Sequence, residues 1–360
     1  MALALRLAER GLFTTQPNPR VGCVIAHDDR IVGSGWHRRS GEAHAEVFAL
    51  AEAGTQAKGA TAYVTLEPCA HFGRTPPCAD ALIEAGVARV VIAHEDPFVD
   101  VDGRGIGMLR DAGIKVECGL MVVAARELNR GFLARVERKR PWLRVKLAMS
   151  LDGRTALANG ESKWITGEAA RADVQRWRAR SSALLSGIGT VLADDPRLTV
   201  RLSDPVDDEN GSCFVPLRVI LDRKLRTPVA ANILDGSAPT LILHSPDSSP
   251  VDQRFESVEL RTVEIRDDRL DLSSVLALLA ARDFNEIQVE AGPTLCGALF
   301  SAGLVDELLL YVAPILLGDS ARPLLDLPAL SDMSARWKLE TVDQRMLGSD
   351  WRLLMRPLEN

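Results

Sequence analysis

The stretch that decides the N-terminal fold is HAEVFALAEAGTQAKGATAYVTLEPCAHFGRTPPC, residues 44–78. It contains His44, Cys69 and Cys78, which together offer one imidazole and two thiols. This ligand set suits a tetrahedral Zn²⁺ whose fourth position is left to water, and an open position is typical of a catalytic zinc. The stretch therefore predicts one water-activating zinc per chain.

Local structure explains how these residues could converge. Residues two apart on a helix point to nearly opposite sides, so His44 and Glu46 can meet only if His44 lies at the helix start. HAEVFALAEA reads as a helix that opens there. Cys78 follows Pro77 and opens a second helix, and Cys69 follows the buried strand AYVTL.

The simpler interpretation is that one His and two Cys are unrelated core residues. The combined pattern is more specific, because an H-x-E followed by P-C and a second Cys is the signature of zinc deaminases. In that signature the glutamate, here Glu46, moves protons and is not a ligand. The second Cys departs from the usual spacing, since the loop CAHFGRTPPC separates the two thiols.

Composition limits the classes of partner. A chain of 360 residues exceeds one typical core and predicts two domains. The net charge of −6 and pI near 5.6 give no reason to expect nucleic acid or membrane partners. The six scattered cysteines indicate no disulfide framework, and no apolar run is long enough to span a membrane. We expect a cytoplasmic enzyme.

Alternating strand and helix patterns predict an α/β fold for both halves, with helices on both faces of the N-terminal sheet. The charged segment ERKRP, residues 137–141, is the best candidate linker. It predicts an N-terminal domain of residues 1–139 and a C-terminal domain of residues 140–360. GRGIG, residues 103–107, resembles a phosphate loop only superficially, and we interpret it as a surface turn.

Two turns in the second half could hold phosphate. In EIQVEAGPTLCGALF a buried strand meets a glycine turn and then a helix N-terminus, although a plain βα turn would look the same. In SGIGTVLADDPRLTVR a strand also runs into a glycine turn. Asp194 and Asp195 there could form a carboxylate pair, but DDP also commonly ends a helix.

Taken together, the motifs PNPRVGCVI, HAEVFAL, YVTLEPCAHFGRTPPC, KLAMSLDGRTA, GESKWIT, TVLADDPRLTVR and VEAGPTLCGAL resemble the bifunctional riboflavin-biosynthesis deaminase-reductases. The resemblance covers nearly the whole chain. It implies an N-terminal cytidine-deaminase-like three-layer domain and a C-terminal α/β domain similar to dihydrofolate reductase. It further implies hydrolytic deamination of 2,5-diamino-6-ribosylamino-4(3H)-pyrimidinone 5′-phosphate, followed by reduction of the ribosyl to the ribityl group with NADPH.

The resemblance also implies roles for individual residues. His44, Cys69 and Cys78 would hold zinc, and Glu46 would be catalytic. In the first half, Asn18 would bind the pyrimidine of the substrate, although it could equally be a turn former. His71 and Arg74 would bind the phosphate of that substrate. NADPH would contact Ala148, Trp164, Thr190, Asp194, Gly292, Pro293, Thr294, Leu295, Cys296, Gly297 and Ala298. The second substrate would contact Ser162, Arg178, Leu198, Arg201 and Glu290.

Relatives in this family associate through the reductase half, so a homo-oligomer is expected. The alternative function is a zinc nucleoside or nucleic-acid deaminase with an accessory domain. That class predicts a basic groove interleaved with aromatic side chains. An aromatic content of 5% and a negative net charge argue against it.

Overall fold

The computed structural model describes residues 1–70, 77–99, 101–202 and 214–358. The described residues form two compact units. The first contains those of Met1–Lys139 together with Phe214, and the second contains those of Arg140–Asp204 and Val215–Asn360. The α/β fold predicted for both halves is confirmed.

The helices of the first unit are α1 (Ala2–Glu9), α2 (Ala45–Ala53), α3 (Cys78–Glu84), α4 (Arg104–Asp111), α5 (Val122–Leu128) and α6 (Arg130–Arg138). Its strands are β1 (Gly22–His27), β2 (Arg30–Trp36), β3 (Thr61–Val64), β4 (Arg89–Ile92) and β5 (Lys115–Cys118). The sheet order is β2-β1-β3-β4-β5, in which β3, β4 and β5 are parallel and β1 runs antiparallel to both of its neighbours.

The sheet of the first unit has helices on both faces. Successive residues of a strand point to opposite faces. Gly22 of β1 faces α1, where an added Cβ would lie 2.0 Å from the carbonyl oxygen of Ala4. Cys23 instead belongs to the core cluster formed with α2, α3 and α4. The unit is therefore built in three layers.

Helix α2 lies unusually close to strand β2 because two glycines face it. An added Cβ at Gly33 would lie 2.1 Å from the carbonyl oxygen of Ala49, and one at Gly35 would lie 2.6 Å from that of Ala45. Glycine is needed here for the close approach of two backbones. This contact fixes the N-terminal end of α2, where His44 is the N-cap.

The sequence predicts one helix over residues 122–135, but the structure has a break between α5 and α6 at Asn129. The Asn129 side chain forms two hydrogen bonds with the backbone of Arg20: its Oδ1 accepts from N at 2.8 Å and its Nδ2 donates to O at 2.9 Å. These bonds tie the break to a segment 109 residues away. The sequence pattern contains no sign of such a distant partner.

The helices of the second unit are α7 (Glu168–Ala179), α8 (Ile188–Asp194), α9 (Leu272–Ala280) and α10 (Pro293–Ser301). Its strands are β6 (Trp142–Ser150), β7 (Arg154–Ala156), β8 (Ala183–Gly187), β9 (Leu217–Leu221), β10 (Thr240–His244), β11 (Glu259–Thr262), β12 (Ile265–Arg266), β13 (Arg269–Leu270), β14 (Glu286–Val289), β15 (Glu307–Ala313), β16 (Arg322–Pro323), β17 (Leu339–Leu347) and β18 (Asp350–Pro357).

The main sheet of the second unit has the order β11-β10-β9-β8-β14-β6-β15-β18-β17. Strands β11 to β15 in this order are parallel, and β18 and β17 continue the sheet antiparallel. Leu184 and Leu185, neighbours on β8, belong to different core clusters, so both faces are covered. In such sheets ligands bind outside the carboxyl ends of the parallel strands.

A charged residue lies at the centre of this sheet. Arg144 of β6 is fully buried. Its Nη2 donates to Glu286 of β14 at 2.8 Å, and its Nε donates to Glu307 of β15 at 2.6 Å. The guanidinium thus joins the two strands on either side of its own.

One further sequence interpretation needs correction. GRGIG is not a surface turn, because Gly103 is the N-cap of α4 and the helix begins at Arg104. At the C-terminal end of the second unit, β17 and β18 form one edge of the main sheet. Most residues of β17 are exposed, so it lacks the alternation that identifies a half-buried strand. Among the described residues, no helix is long and apolar enough to cross a membrane.

Candidate active sites

The three predicted zinc ligands converge in the first unit. Their donor atoms all lie within 4.8 Å of one another. Nδ1 of His44 lies 3.5 Å from Sγ of Cys69 and 3.3 Å from Sγ of Cys78. Within the described residues this group contains no fourth ligand. The donors fit Zn²⁺, and they leave one position of a tetrahedral ion open.

The elements place the ligands as the sequence suggests. His44 is the N-cap of α2 with extended backbone angles, and Cys78 is the first residue of α3. Cys69 lies in the segment that follows β3, and its Sγ accepts a hydrogen bond from the backbone N of Cys78 at 3.3 Å. A helix N-terminus stabilises a thiolate, which is the form that binds metal.

The two thiols have opposite pKa shifts. Hydrogen bonding from the Cys78 thiol, helped by His44 and opposed by burial, lowers the pKa of Cys69 to about 4. The same hydrogen bond, together with burial, raises the pKa of Cys78. The pair thus holds one proton between two sulfurs. Zinc binding requires both as thiolates and would release that proton.

Glu46 lies beside the metal ligands in the first turn of α2 and is only 3% exposed. Its Oε2 has no hydrogen-bond partner among the described residues. Burial raises the pKa of the Glu46 carboxyl, although the charge of His44 opposes this. A buried carboxyl with a raised pKa and an unused oxygen is suited to accept and return a proton.

Asn18 belongs to a hydrogen-bonded group next to this cluster. His37 has Nδ1 3.1 Å from the carbonyl oxygen of Ala43, so Nδ1 donates and Nε2 accepts from Asn18 Nδ2 at 3.0 Å. The His37 and His44 rings meet edge to face, with centroids 5.3 Å apart. Burial lowers the pKa of His37 to about 4, so this ring is neutral. Sequence reasoning missed His37, which only its proximity to His44 could have suggested.

Glu67 anchors the segment that carries Cys69. This carboxylate is buried and accepts three backbone hydrogen bonds, from Asp96 at 3.2 Å, Gly103 at 3.2 Å and Ile106 at 3.1 Å. Two of these donors lie at the start of α4, where backbone N–H groups lack partners within the helix. Gly105 completes the contact, since a Cβ there would lie 2.0 Å from the carbonyl oxygen of Pro68.

The inserted loop carries two other predicted residues, His71 and Arg74. Both lie outside the described residues. Cys69 and Cys78, which flank this loop, are among the described residues, and their sulfurs belong to the zinc-ligand cluster. A role for His71 and Arg74 in binding substrate phosphate therefore stays a prediction.

The second unit contains a cavity of about 1210 Å³ at the carboxyl ends of its parallel strands. Most of the residues predicted for NADPH and for the second substrate line it. They are Ala148, Ser162, Trp164, Arg178, Thr190, Asp194, Leu198, Arg201, Glu290, Gly292, Pro293, Thr294, Leu295 and Ala298. The structure thus brings together residues that are up to 150 positions apart in sequence.

Cys296 and Gly297 do not line this cavity. Both are buried on the inner side of α10. An added Cβ at Gly297 would lie 2.0 Å from the carbonyl oxygen of Asp326, so this glycine permits close packing of the helix. Gly292, the N-cap of α10, has open space at the equivalent position. The expected phosphate contact is therefore supported at Gly292 and not at Gly297.

Arg178 and Glu290 form a bidentate ion pair on the cavity wall. Nε of Arg178 donates to Oε1 at 2.6 Å, and Nη2 donates to Oε2 at 2.8 Å. Burial alone would raise the pKa of Glu290, but Arg178 outweighs it and lowers the pKa to about 2. The pair is therefore ionised at neutral pH. Its charges largely cancel, so Arg178 is poorly placed to neutralise a substrate phosphate.

Lys146 is a cavity residue that sequence reasoning missed. It lies on β6 and lines the cavity with Glu290 and Arg178. Burial lowers the pKa of its ammonium group, and the charge of Glu290 partly offsets this. The available signal was a single lysine within the apolar strand WLRVKLAMS. A half-buried ammonium group with a lowered pKa can act as a proton donor.

Asp194 and Asp195 do not form a carboxylate pair. Both residues line the cavity, but Asp194 ends α8 and Asp195 is the C-cap with φ of 41°. The Asp195 carboxylate accepts from the backbone N and the side-chain Nδ2 of Asn232, both at 2.8 Å. DDP thus ends the helix, which was the alternative interpretation of this sequence.

The fold and sites define a class: a zinc-dependent deaminase of the cytidine-deaminase type, joined to an α/β reductase. Comparison with known proteins agrees with this. The model of the cytidine and deoxycytidylate deaminase zinc-binding region matches residues 1–94, and the RibD C-terminal domain model matches residues 141–353. Riboflavin biosynthesis protein RibD of Escherichia coli (strain K12) is 49% identical over 97% of this chain and 96% of its own length.

Two solved structures are similar over nearly the full length. Acinetobacter baumannii RibD, form 1, has a TM-score of 0.91 and 45% identity, covering 99% of this chain and 98% of that one. A diaminohydroxyphosphoribosylaminopyrimidine deaminase/5-amino-6-(5-phosphoribosylamino)uracil reductase from Thermotoga maritima has a TM-score of 0.86 and 34% identity, covering 99% and 97%. The chain belongs to the RibD family. It is a bifunctional riboflavin-biosynthesis enzyme with deaminase and reductase activities, and zinc and NADPH are its cofactors.

Proposed function

We propose that residues 1–139 hydrolyse the 2-amino group of 2,5-diamino-6-ribosylamino-4(3H)-pyrimidinone 5′-phosphate. The observation that carries this proposal is the convergence of His44, Cys69 and Cys78 beside the unpartnered oxygen of Glu46. Zinc, when bound by these three residues, lowers the pKa of a water nucleophile to roughly 7. Glu46 takes a proton from the attacking water and gives it to the departing ammonia.

Asn18 is the proposed contact for the pyrimidine. Its Nδ2 is held by the neutral ring of His37, and its Oδ1 lies 3.5 Å from the Ser40 hydroxyl at the half-exposed edge of the site. The fixed Nδ2 leaves Oδ1 as the acceptor that can face an amino or imino N–H of the ring. His71 and Arg74 are the proposed contacts for its phosphate.

Residues 140–360 are the proposed reductase. NADPH, when bound, supplies a hydride. The ribosylamino group opens to an imine, hydride adds to its C1′ carbon, and a proton must be delivered for the ribitylamino product to form. Lys146 is the proposed proton donor, because its ammonium lines the cavity and gives up a proton more readily than an exposed lysine. Glu290 stabilises the charged form of Lys146.

The other cavity residues bind and orient the reactants. Gly292 to Leu295 offer the N-terminus of α10 to the cofactor pyrophosphate. Ala148, Trp164, Thr190 and Asp194 complete the proposed NADPH contacts. Ser162, Leu198 and Arg201 face the substrate. Arg201 is the proposed phosphate contact, because Arg178 is paired with Glu290.

One experiment tests both assignments. Purified protein is supplied with the diaminopyrimidinone phosphate, and ammonia release and NADPH oxidation are recorded together. Wild type performs both reactions. Cys69→Ser and Cys78→Ser lose zinc and ammonia release but still oxidise NADPH with the deaminated substrate. Full zinc content in both variants, measured by elemental analysis, would contradict the ligand assignment.

We propose that the protein is a homo-oligomer joined through the reductase half. The support is an exposed apolar patch at the edge of the main sheet. Met346 of β17 and Trp351 of β18 are cross-strand neighbours and are 55% and 40% exposed, and Val342 lies on the same edge strand at 43%. Edge strands with apolar side chains favour association. Light scattering should give a multiple of the chain mass, and Met346→Glu should give the monomer mass.

We also propose that the protein functions in the cytoplasm. None of the five described cysteines forms a disulfide. Both metal thiols must stay reduced to bind zinc, and a reducing compartment keeps them so. Denatured, metal-free protein should react with six equivalents of a thiol reagent without prior reduction.

A further inference from the structure

The segment of residues 162–166 lines the reductase cavity but belongs to no helix or strand. Trp164, a proposed NADPH contact at its centre, has a side chain that is 71% exposed. The segment runs directly into Gly167, which is the N-cap of α7. The conformation of this part of the cavity wall therefore depends on how α7 begins.

The start of α7 is capped by a residue that is distant in sequence. Its N-cap is a glycine, and its third helical residue is Ala170, where a capping box would have Glu or Gln. The backbone N–H of Gly167 instead donates to Oδ2 of Asp350 at 2.7 Å, across 183 positions. Asp350 is only 1% exposed. A carboxylate at this end of a helix is also favoured by the helix dipole.

The hairpin of β17 and β18 places Asp350 at the helix. Leu347 and Asp350 are the last cross-strand pair, and the two-residue turn between them begins with Gly348, whose φ is 65°. Glycine at the first position is typical of tight hairpin turns. An added Cβ at Gly348 would lie 3.6 Å from the Cβ of Ala169, so the turn packs against the first turn of α7.

The body of α7 is attached to the sheet independently of Asp350. Ala170 and Val174 belong to a buried cluster shared with β15 and β18. The carboxylate of Asp173 accepts a hydrogen bond from the hydroxyl of Tyr311 at 2.7 Å. Loss of the Asp350 carboxylate should therefore leave the helix in place and release only the segment that precedes it.

Arg171 connects the first turn of α7 to Trp164. Its Nη1 donates to the carbonyl oxygen of Thr166 at 2.5 Å, and its Cζ lies 4.7 Å from the centre of the Trp164 ring. A guanidinium over an aromatic face is a favourable contact. When the start of the helix is fixed, Arg171 therefore fixes both the backbone and the ring of the segment.

We propose that Asp350 is a positioning residue of the reductase, which caps α7 from the β17–β18 hairpin and so holds Trp164 in place for NADPH. This inference rests on the proposed role of Trp164 as a cofactor contact. Without the cap, residues 162–166 occupy several conformations, and NADPH binds only one of them. The apparent affinity then falls by the fraction of molecules in that conformation.

The first test compares two substitutions at Asp350 in the full-length protein. Asp350→Ala should weaken NADPH binding, measured by fluorescence titration, roughly tenfold to thirtyfold. The KM for NADPH should rise in step, whereas kcat at saturating NADPH should stay near its wild-type value. Asp350→Asn retains an acceptor oxygen and loses only the charge, so its affinity should stay within about threefold. If Asn costs as much as Ala, the acceptor oxygen is not what the site needs and the proposal fails.

A double-mutant cycle with Trp164→Ala separates positioning from general stability. If Asp350 acts through Trp164, Asp350→Ala should change NADPH affinity less than about twofold in the Trp164→Ala background, because effects on one contact are not additive. The same tenfold loss in both backgrounds would overturn the proposal. Trp164→Ala alone reports on the proposed contact, since unchanged NADPH affinity in that variant would remove Trp164 from the cofactor site.

The matched control is Glu340→Ala. Glu340 is an exposed carboxylate on the same hairpin and does not line the cavity. Its loss changes the net charge as Asp350→Ala does, but NADPH affinity should stay at its wild-type value. Ammonia release should be unchanged in both variants. Wild-type NADPH affinity in Asp350→Ala, with the fold preserved by circular dichroism, would show that the cap does not position the cofactor site.

Discussion

Glu46 lies beside the zinc ligands but is not one of them. Its variants should therefore affect deamination without affecting zinc content. We expect Glu46→Gln to retain zinc, since its carboxylate is not one of the three donors. Deamination should fall by about 10²-fold or more, because an amide fills the same space but cannot carry the proton. Zinc content by elemental analysis and ammonia release are the measurements. Near-normal turnover with bound zinc would mean that another group moves the proton.

Lys146 gives a prediction about pH. Burial lowers the pKa of its ammonium group, and a proton donor must be charged to act. Reduction should therefore be fully active below this pKa and should decline as pH rises through it, earlier than the ordinary lysine pKa of about 10.4 would predict. Lys146→Met should lose reduction by about 10²-fold or more and should lose this decline. An unchanged pH profile in the variant would remove Lys146 from the reaction, and its ammonia release serves as the control.

Individual residues differ in how far the sequence could reveal them. The zinc ligands could be predicted, because His44, Cys69 and Cys78 follow a spaced pattern that only one chemistry explains well. Lys146 could not, because its role depends on a cavity formed by strands distant in sequence. The same holds for the pairing of Arg178 with Glu290, which are 112 positions apart.

Helix α4 allows a comparison between two glycines on one element. A Cβ at Gly105 would lie 2.0 Å from the carbonyl oxygen of Pro68, whereas one at Gly107 would meet nothing within 4 Å. Gly105→Ala should displace the segment that ends in Cys69 and reduce both zinc content and thermal stability. Gly107→Ala should retain zinc and gain up to about 1 kcal/mol from helix propensity. Equal zinc content in the two variants would show that α4 does not position the ligand.

At the level of elements, the sequence could predict the strands and helices whose apolar residues recur with the period of a strand or a helix. Helix α2 begins one residue after His44, as expected, and the hairpin of β1 and β2 turns at Asp28 and Asp29. Two elements were predicted wrongly, and each is determined by a residue that is distant in sequence. The break at Asn129 depends on Arg20, and the helix that replaces the expected GRGIG turn is capped by Glu67.

The whole chain should be divisible near residue 140. We expect a fragment of residues 140–360 to fold and to reduce the deaminated substrate without zinc, because its main sheet and cavity are complete among the residues of the second unit. Among the described residues, the fragment loses the backbone hydrogen bond in which Phe214 N donates to Phe13 O at 2.9 Å. Circular dichroism and NADPH oxidation are the measurements. An unfolded or inert fragment would show that the reductase needs the first 139 residues.

Arg144, buried between Glu286 and Glu307, has a consequence for how the reductase sheet can assemble. A parallel sheet built only from Val, Leu and Ile could tolerate β6 shifted by two positions, since the same faces would still be apolar. With Arg144 in place, such a shift breaks the buried ion pairs that Arg144 forms with Glu286 and Glu307. Breaking a buried ion pair typically costs about 3–5 kcal/mol. Misaligned intermediates are thereby penalised before the cavity forms. Arg144 thus fixes the register of β6 in the sheet. This register places Lys146 and Ala148 at the cavity, where the cofactor and substrate are proposed to bind.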